Sequence, residues 1–270
     1  MPDLSAHQSG ATTKLLLLGD SGAGKTGSLA SLAGAGYNLR IIDMDNGVDV
    51  LANILRDPKS QYGREALARV KYATITDKMK NVGGRLVPKE ATAWQRAINL
   101  LIDWKIGDEQ LGPLTTWGTN DVLVLDSLTF MSTAAMNFQL AMNARLGQQP
   151  HQSDWYVGQQ MIEGLLQTLY DEGVKCNVIV MAHVAYIGEE NAPQTGYPST
   201  LGKALPPKVG RYFNSTLLVK TVGQGTNAKR MIHTSTINGI ELKNSAPTLV
   251  EKTYPLETGL ASYFKAVRGA

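Results

Sequence analysis

Residues 14–26 read KLLLLGDSGAGKT, and this stretch decides the fold. The apolar run at residues 14–18 stops at a glycine, which is typical of a strand buried on both faces. The next eight residues match G-x-x-x-x-G-K-[ST] at every constrained position, and helical spacing begins at Lys25. Glycines let backbone N–H groups turn toward phosphate oxygens, while Lys25 reaches the β and γ oxygens. The stretch therefore predicts a triphosphate-binding loop. Its predicted binding residues are Gly19, Asp20, Ser21, Gly22, Ala23, Gly24, Lys25 and Thr26.

Further apolar runs resemble the first, and segments with helical spacing separate them. Because strands that alternate with helices form parallel sheets, we predict an α/β fold with a mainly parallel sheet and helices on both faces. The predicted strands are residues 38–44, 70–75, 122–125 and 178–181, and the predicted helices are residues 25–33, 91–104, 129–146 and 154–170.

The character of the chain changes after His183. Residues 185–207 are rich in Gly, Pro, Ser, Thr and Asn without a sustained period, which predicts a long loop of functional or mobile character. Residues 215–221 and 229–236 are predicted strands of a β-rich, antiparallel C-terminal part, Asn238 and Gly239 mark a tight turn, and a helix is expected near residues 257–267. Residues 77–90 are the best candidate for a surface insertion. We predict one domain, with a flexible N-terminus at 1–13, a core at 14–245 and a C-terminal extension at 246–270.

Composition excludes several classes of protein. Of the 270 residues, 43% are hydrophobic, which suffices for a buried core and excludes general disorder. No apolar run approaches the roughly 18 residues that a membrane helix needs, and the N-terminus lacks the pattern of a secretory signal. The single cysteine, Cys176, cannot form a disulfide within the chain, and the four histidines show no zinc spacing. We expect a soluble cytoplasmic protein with no membrane partner.

Charge is distributed unevenly along the sequence. The net charge is only +3, yet residues 201–270 hold ten Lys and Arg against three Asp and Glu. Residues 56–89 form a second basic stretch. This asymmetry is typical of an anion-binding face, although ordinary solvated surface charge gives the same pattern.

An acid that could hold a metal ion follows another buried strand. Asp126 comes directly after the apolar residues 122–125, so its carboxylate is expected at the carboxyl edge of the sheet, where ligands bind in open α/β folds. We predict that Thr26 and Asp126 hold Mg²⁺, with Asp126 acting through water. The alternative for Asp126 is a helix cap.

Hydrolysis also needs a group that polarises water. Asp43 and Asp45 end the strand predicted at residues 38–44, and either could be the general base; Asp45 is preferred, with simple capping by both acids as the alternative. His183 ends another core strand, where it could sense the γ-phosphate and signal to the loop behind it. A structural histidine is the competing interpretation.

These elements, in this order, resemble the RecA-like recombinase ATPases, and most closely the small phage-type proteins grouped as phage nucleotide-binding or single-strand annealing ATPases. The resemblance rests on GDSGAGKT, IIDMDNGVD, VLVLDSL, VIVMAHV with the long loop after it, and LGKALPPKVGRYFNSTLLVK, and it spans residues 14–245. It implies a RecA-like P-loop NTPase core with ATP and Mg²⁺. It also implies a homo-oligomer, ring or filament, in the host cytoplasm if the gene is carried by a phage.

The resemblance also assigns roles by position. Asp45 falls where the family has a catalytic glutamate, and His183 falls where larger relatives carry a glutamine that couples nucleotide to DNA. Residues 184–201 would be the loop that binds single-stranded DNA, and residues 145–154 the other DNA-facing loop. Lys243 and Asn244 resemble a Lys-Asn pair near the end of related cores. The implied DNA contacts are stacking by Tyr186 and Tyr197, for which packing against the sheet edge is the alternative. Lys203 would be a phosphate contact or a finger toward a neighbour's nucleotide, and Lys208 and Arg211 are rivals for the finger.

The function implied is an ATPase that binds single-stranded DNA and supports phage-type recombination or strand annealing, with a single-strand binding protein as a candidate further partner. Three alternatives stay open at this point. They are another nucleic-acid motor or packaging ATPase on the same core, a small-molecule phosphotransferase, and a non-catalytic module whose conformation is set by nucleotide. The phosphotransferase is disfavoured because the long loop after His183 contains no arginine of the kind found in lids.

Overall fold

A computed structural model describes residues 12–188 and 194–269 of the chain. The strands are β1 (Lys14–Leu18), β2 (Asn38–Asp43), β3 (Val70–Thr74), β4 (Met79–Val82), β5 (Arg85–Pro88), β6 (Trp104–Ile106), β7 (Glu109–Gly112), β8 (Asp121–Asp126), β9 (Asn177–Ala182), β10 (Val184–Ile187), β11 (Thr195–Pro198), β12 (Ser215–Val222), β13 (Lys229–His233) and β14 (Thr253–Pro255). The α-helices are α1 (Lys25–Ser28), α2 (Ala30–Gly34), α3 (Val48–Arg56), α4 (Glu65–Ala68), α5 (Ala93–Ile102), α6 (Leu128–Met142), α7 (Gln152–Tyr170), α8 (Pro206–Val209) and α9 (Leu256–Val267).

Eight of these strands form one sheet in the order β14-β13-β12-β1-β9-β8-β2-β3. The six strands from β12 to β3 are parallel, while β13 and β14 pair antiparallel to their neighbours. The carboxyl ends of the parallel strands therefore share one edge, and the loop after β1 lies there beside the ends of β9 and β12. This arrangement confirms the predicted α/β class with its mainly parallel sheet.

Helices cover both faces of the sheet, which explains why β1 is apolar throughout rather than alternating. Leu16 and Leu18 pack in the cluster that includes residues of α5, α6 and α7. Leu15 and Leu17 pack in the opposite cluster with residues of α2, α3 and α9. Because successive side chains of a strand point to opposite faces, a strand between two helical layers must be apolar at every position.

The C-terminal residues contribute to this core. The segment predicted as an extension, residues 246–270, supplies β14 and α9, and α9 buries Leu260, Tyr263 and Phe264 completely. Most of the predicted N-terminal segment, residues 1–11, lies outside the described residues, whereas Thr13 is buried and its amide donates to Asn177 Oδ1 at 3.0 Å. The proposed domain bounds remain predictions.

Two local predictions differ from the structure. The predicted helix at 25–33 is divided at Leu29 into α1 and α2. The prediction of an unstructured stretch at 185–207 is wrong, because β10 and β11 pair as an antiparallel ribbon and α8 follows. Backbone pairing across the ribbon needs no sustained apolar period, so no periodic pattern indicated these strands. Residues 189–193 of this stretch lie outside the described residues.

Two further hairpins, β4–β5 and β6–β7, are separate from the eight-stranded sheet. Residues 77–90, predicted as a surface insertion, contain the exposed hairpin β4–β5, and the predicted Asn238-Gly239 turn has positive φ at both positions. The hairpin β6–β7 was not anticipated; it buries Trp104 fully, and the indole Nε1 donates to Glu109 Oε2 at 3.1 Å. Within the described residues, no helix combines the length and apolarity required to span a membrane.

Candidate active site

The loop after β1 has the backbone conformation that its glycines permit. Gly22 and Gly24 adopt φ values of 74° and 109°, in a region that other residues rarely occupy, and α1 begins directly after Gly24. A Cβ atom at Gly24 would lie 2.8 Å from Leu256 Cδ2, so glycine is required there for close packing as well. The loop therefore presents its backbone and a helix N-terminus at the carboxyl edge of the sheet, an arrangement suited to binding phosphate.

Lys25 is held beneath this loop. Its side chain is buried, and Nζ donates to the carbonyl oxygens of Gly19 at 2.7 Å and Asp20 at 3.1 Å. Burial lowers the pKa of Lys25, and the nearby charges of Asp126 and Asp45 act in the opposite direction. The ammonium group is thus positioned among the loop carbonyls and the acids of the neighbouring strands.

Thr26 and Asp126 meet across the sheet edge, although 100 residues separate them in sequence. Thr26 Oγ1 donates to Asp126 Oδ2 at 2.6 Å, and Asp126 is fully buried with Oδ1 unpartnered. Burial, reinforced by the charge of Asp45, raises the pKa of Asp126 to about 7, while the bond from Thr26 opposes the shift. A buried carboxylate oxygen without a donor beside a hydroxyl is a donor set that Mg²⁺ accepts.

A magnesium ion fits these two residues without a dedicated protein cage. No group of three or more His, Cys, Asp or Glu side chains able to hold a metal occurs in the part of the chain that the structure describes. Mg²⁺ bound with a nucleotide is held by one or two protein oxygens together with phosphate oxygens and water, so such a cluster is not required. Thr26 and Asp126 are the residues that would hold it.

The two acids after β2 have different surroundings. Asp43 is buried, and its oxygens accept hydrogen bonds from the Gly47 amide at 3.0 Å and from Thr74 Oγ1 at 3.2 Å. Asp45 is half-buried, and its Oδ1 has no hydrogen-bond partner. Burial and the charge of Asp43 raise the pKa of Asp45. Asp43 is therefore held by hydrogen bonds to its own surroundings, whereas Asp45 lines the cavity described below and its buried Oδ1 has no hydrogen-bond partner.

His183 lies between the phosphate loop and the ribbon β10–β11. Its ring is T-shaped to Phe130, with 6.1 Å between centroids, and burial followed by the charge of Lys25 lowers its pKa. Its backbone amide donates to Thr129 Oγ1 at 3.1 Å, and its carbonyl oxygen accepts a hydrogen bond from the Ser199 amide at 2.8 Å. The residue is therefore tied to α6 on one side and to the end of β11 on the other.

A cavity of about 390 Å³ lies at this edge of the sheet. It is lined by five predicted phosphate-loop residues, by the candidate base and by His183. The predicted binding residues Gly19, Asp20 and Ala23 do not line it; they form hydrogen bonds within the loop instead. Val50, Phe130 and Arg230 also line it and were not anticipated, since no local motif marks them. The lining residues are Ser21, Gly22, Gly24, Lys25, Thr26, Gly27, Asp45, Gly47, Val50, Phe130, His183 and Arg230.

The predicted DNA contacts are distributed over more than one surface. Tyr186 pairs with Gly196 and Ala185 with Tyr197, so the two tyrosines project from opposite faces of the ribbon. Tyr186 is 47% exposed, whereas Tyr197 is half-buried in a cleft of about 260 Å³ that Arg211 and Lys243 also line. The tyrosines therefore cannot stack together on one face of this ribbon.

The basic candidates differ in their partners. Arg211 Nη2 lies 3.0 Å and Lys208 Nζ 3.9 Å from Glu163 Oε1, so both share one acid, while Lys203 is exposed. In the other predicted DNA-facing loop, residues 145–154, Arg145 Nη2 binds the fully buried Asp154 at 2.6 Å. Of these four cations, only Lys203 forms no salt bridge with an acid among the described residues.

Comparison with known proteins assigns the chain to a family. Residues 11–246 match the family described as AAA domain, AAA_24, which is most of the chain. Among solved structures, similarity is found to the RadB recombinase, with 15% identity, a TM-score of 0.48, and coverage of 92% of this chain and 89% of that one. A KaiC-like protein from Pyrococcus horikoshii OT3 is similar at 13% identity and a TM-score of 0.44, covering 92% of this chain and 87% of that chain.

The flagellar accessory protein FlaH from Methanocaldococcus jannaschii is similar at 10% identity and a TM-score of 0.43, covering 89% of this chain and 83% of that chain. At these values the structural similarities have no bearing on function. No curated protein is significantly similar in sequence. The family match extends over the phosphate loop, the Thr26–Asp126 pair and the strands that bring them together. The chain belongs to the AAA domain family AAA_24 and is a P-loop ATPase.

Proposed function

We propose that this protein is a Mg²⁺-dependent ATPase of RecA-like type whose turnover is stimulated by single-stranded DNA, and that it supports strand annealing or recombination of the phage type as a homo-oligomer. One observation carries the catalytic part of the proposal. A single cavity is lined by five residues of the phosphate loop, among them Thr26, whose hydroxyl donates to buried Asp126, and by Asp45. This proximity supports binding, metal and base roles at one site.

Each residue has a distinct task in this proposal. Lys25 supplies positive charge where negative charge develops on the β and γ oxygens. Thr26 and Asp126 hold Mg²⁺, which neutralises phosphate charge when it is bound. Asp45, which lines the cavity, orients the attacking water and accepts its proton, a role favoured by its raised pKa.

The DNA part of the proposal depends on the connection between His183 and the ribbon. The ring of His183 lines the nucleotide cavity, while its carbonyl is bonded to the Ser199 amide at the end of β11. A change at the γ-phosphate end can therefore move the ribbon without an intervening element. Tyr197 on this ribbon shares a cleft with Lys243, Glu241 and the Glu163-paired Arg211, and an aromatic ring beside cations supports binding of single-stranded DNA.

ATP hydrolysis measured with and without single-stranded DNA tests the proposal. We expect slow turnover alone, a clear rise on adding DNA, and loss of turnover in Lys25→Ala but not in Lys175→Ala, which removes an exposed lysine distant in sequence from the loop. Normal turnover in Lys25→Ala would refute the catalytic site. A rate that DNA leaves unchanged would refute the DNA part.

DNA affinity provides an independent measurement. Lys203→Ala should weaken binding of an oligonucleotide and reduce the slope of affinity against salt concentration, since one phosphate contact is lost. Its affinity for ATP in the absence of DNA should equal that of the wild type. Lys175→Ala is the control and should bind the oligonucleotide as the wild type does. If Lys203→Ala also binds it with wild-type affinity, Lys203 is not a phosphate contact.

One observation favours a second function. The acid at the base position is aspartate, whose side chain is shorter than that of glutamate, so the reach of Asp45 toward a water is reduced. A module in which ATP only sets conformation would bind Mg-ATP tightly and hydrolyse none. Tight binding without turnover, with or without DNA, would favour this function over the first.

A further inference from the structure

Arg230 reaches the nucleotide cavity from a part of the chain outside every motif described above. It lies near the start of β13 and pairs with Thr221 near the end of β12. Because β12 runs parallel to β1 and β13 returns antiparallel, the first residues of β13 lie at the same sheet edge as the phosphate loop. Topology therefore brings an arginine from late in the sequence to the ligand edge.

The side chain of Arg230 is directed toward the loop. Residues two apart on a strand share a face, and Ile232 packs in the cluster that holds Leu17 and Leu256, on the α1 side of the sheet. A Cβ atom at Gly24 would lie 3.3 Å from Arg230 Cδ, which places the arginine stem against the loop. The side chain also lines the 390 Å³ cavity with Lys25 and Thr26.

No acid neutralises this guanidinium within residues 12–188 and 194–269. Three other arginines form salt bridges in which 2.6 to 3.0 Å separate a guanidinium nitrogen from a carboxylate oxygen. Arg230 makes neither a salt bridge nor a side-chain hydrogen bond to the described residues, and it is exposed. An arginine with all its donors available, beside backbone groups that cradle phosphate, is suited to binding phosphate oxygens in two-point fashion. The three salt bridges join Arg40 to Glu109, Arg145 to Asp154 and Arg211 to Glu163.

We propose that Arg230 is a nucleotide-binding residue that acts within its own subunit and contacts the α/β-diphosphate of the bound nucleotide. The inference rests on the proposed binding of ATP at the phosphate loop. Loop amides of this motif cradle the α- and β-phosphates, while the lysine reaches the β- and γ-phosphates. Arg230 adjoins the loop at Gly24, so its contact is to the part of the nucleotide that ATP and ADP share.

Calorimetry with ADP and with a non-hydrolysable ATP analogue tests this assignment on the full chain. Arg230→Met keeps the apolar stem that packs against the loop and removes the charge, and Arg230→Lys keeps the charge. Lys229→Met is the matched control, since Lys229 is the exposed neighbour on the same strand and points to the opposite face. Thermal melting without nucleotide verifies that each variant is folded.

We expect Arg230→Met to lose at least about tenfold in affinity for both nucleotides, since even one of its two charge-assisted hydrogen bonds corresponds to about tenfold. Arg230→Lys should retain most of the affinity, and Lys229→Met should match the wild type. Equal affinities in Arg230→Met and wild type would overturn the proposal, as would a loss confined to the ATP analogue, because that pattern places the contact at the γ-phosphate. A wild type that binds neither nucleotide would instead refute the proposed function itself.

Discussion

The buried carboxyl of Asp126 should make the stability of the nucleotide-free protein depend on pH. Its ordinary pKa of 3.8 applies to the unfolded chain, and burial raises the folded value to about 7. Folding therefore disfavours the ionised form, so the contribution of Asp126 to stability is greatest below pH 3.8 and is lost as pH rises through 7. The full difference corresponds to about 4 kcal/mol, of which about 3 kcal/mol falls between pH 5 and pH 8.

Urea unfolding of wild type and Asp126→Asn, in EDTA and without nucleotide, measures this effect. Asparagine cannot ionise, and its amide oxygen can still accept the hydrogen bond from Thr26 Oγ1. The free energy of unfolding of the wild type should fall relative to that of the variant by about 3 kcal/mol from pH 5 to pH 8. Burial lowers the pKa of both His183 and His233, but these residues are present in both proteins, so the comparison removes their contribution.

A difference between the two proteins that stays constant from pH 5 to pH 8 would refute the reasoning. Such a result would mean that the carboxyl is solvated or paired in the folded chain, contrary to its full burial and the unpartnered Oδ1. The expected dependence of the free energy of unfolding on pH would also show that the Asp126 carboxylate is costly to leave charged without a counterion. That property is what a magnesium ligand in this position requires.

Three further perturbations have defined outcomes. Gly24→Ala should abolish binding of ATP in calorimetry and lower the free energy of unfolding by about 2 kcal/mol, because alanine is strained at the φ of this position and its Cβ meets Leu256. Retained ATP affinity would contradict this. Asp45→Asn should reduce turnover by about a hundredfold or more at unchanged ATP affinity, and an unchanged rate would show that Asp45 is not the base. Glu109→Ala should destabilise the protein to urea by about 3 kcal/mol, because it leaves the buried Arg40 without the partner that lies 2.8 Å away; an unchanged urea midpoint would count against that ion pair.

Local sequence was sufficient for the parts of the fold that follow from short-range physics. The strands β1, β2, β8 and β9 were predicted to within about two residues, because each is an apolar run bounded by polar or turn-forming residues. The phosphate loop was predicted as well, since its glycines and Lys25 are contiguous and their spacing serves one chemical purpose. The pairing of Thr26 with Asp126 also followed, because both end up at the carboxyl edge of a parallel sheet.

Other features depend on pairing between distant segments, which no window of sequence reports. The ribbon β10–β11 places Tyr186 and Tyr197 on opposite faces through its register, and a list of aromatic residues in a loop carries no register. The sequence favours Asp45 over Asp43 as the base but does not show their surroundings, and hydrogen bonds from Gly47 and Thr74 go to Asp43. The distinction arises from residues that the fold brings to one acid and not to the other.

The sequence by itself determined the α/β class, the phosphate loop and the positions of the acids, because periodicity and contiguous motifs are local properties of a chain. Only the tertiary structure decided which acid after β2 is hydrogen-bonded, which cations are already paired, and that Arg230 reaches Gly24. These outcomes depend on strand order and on the antiparallel return of β13. Both are set by burying two apolar faces of one sheet at once, a condition that involves the whole chain.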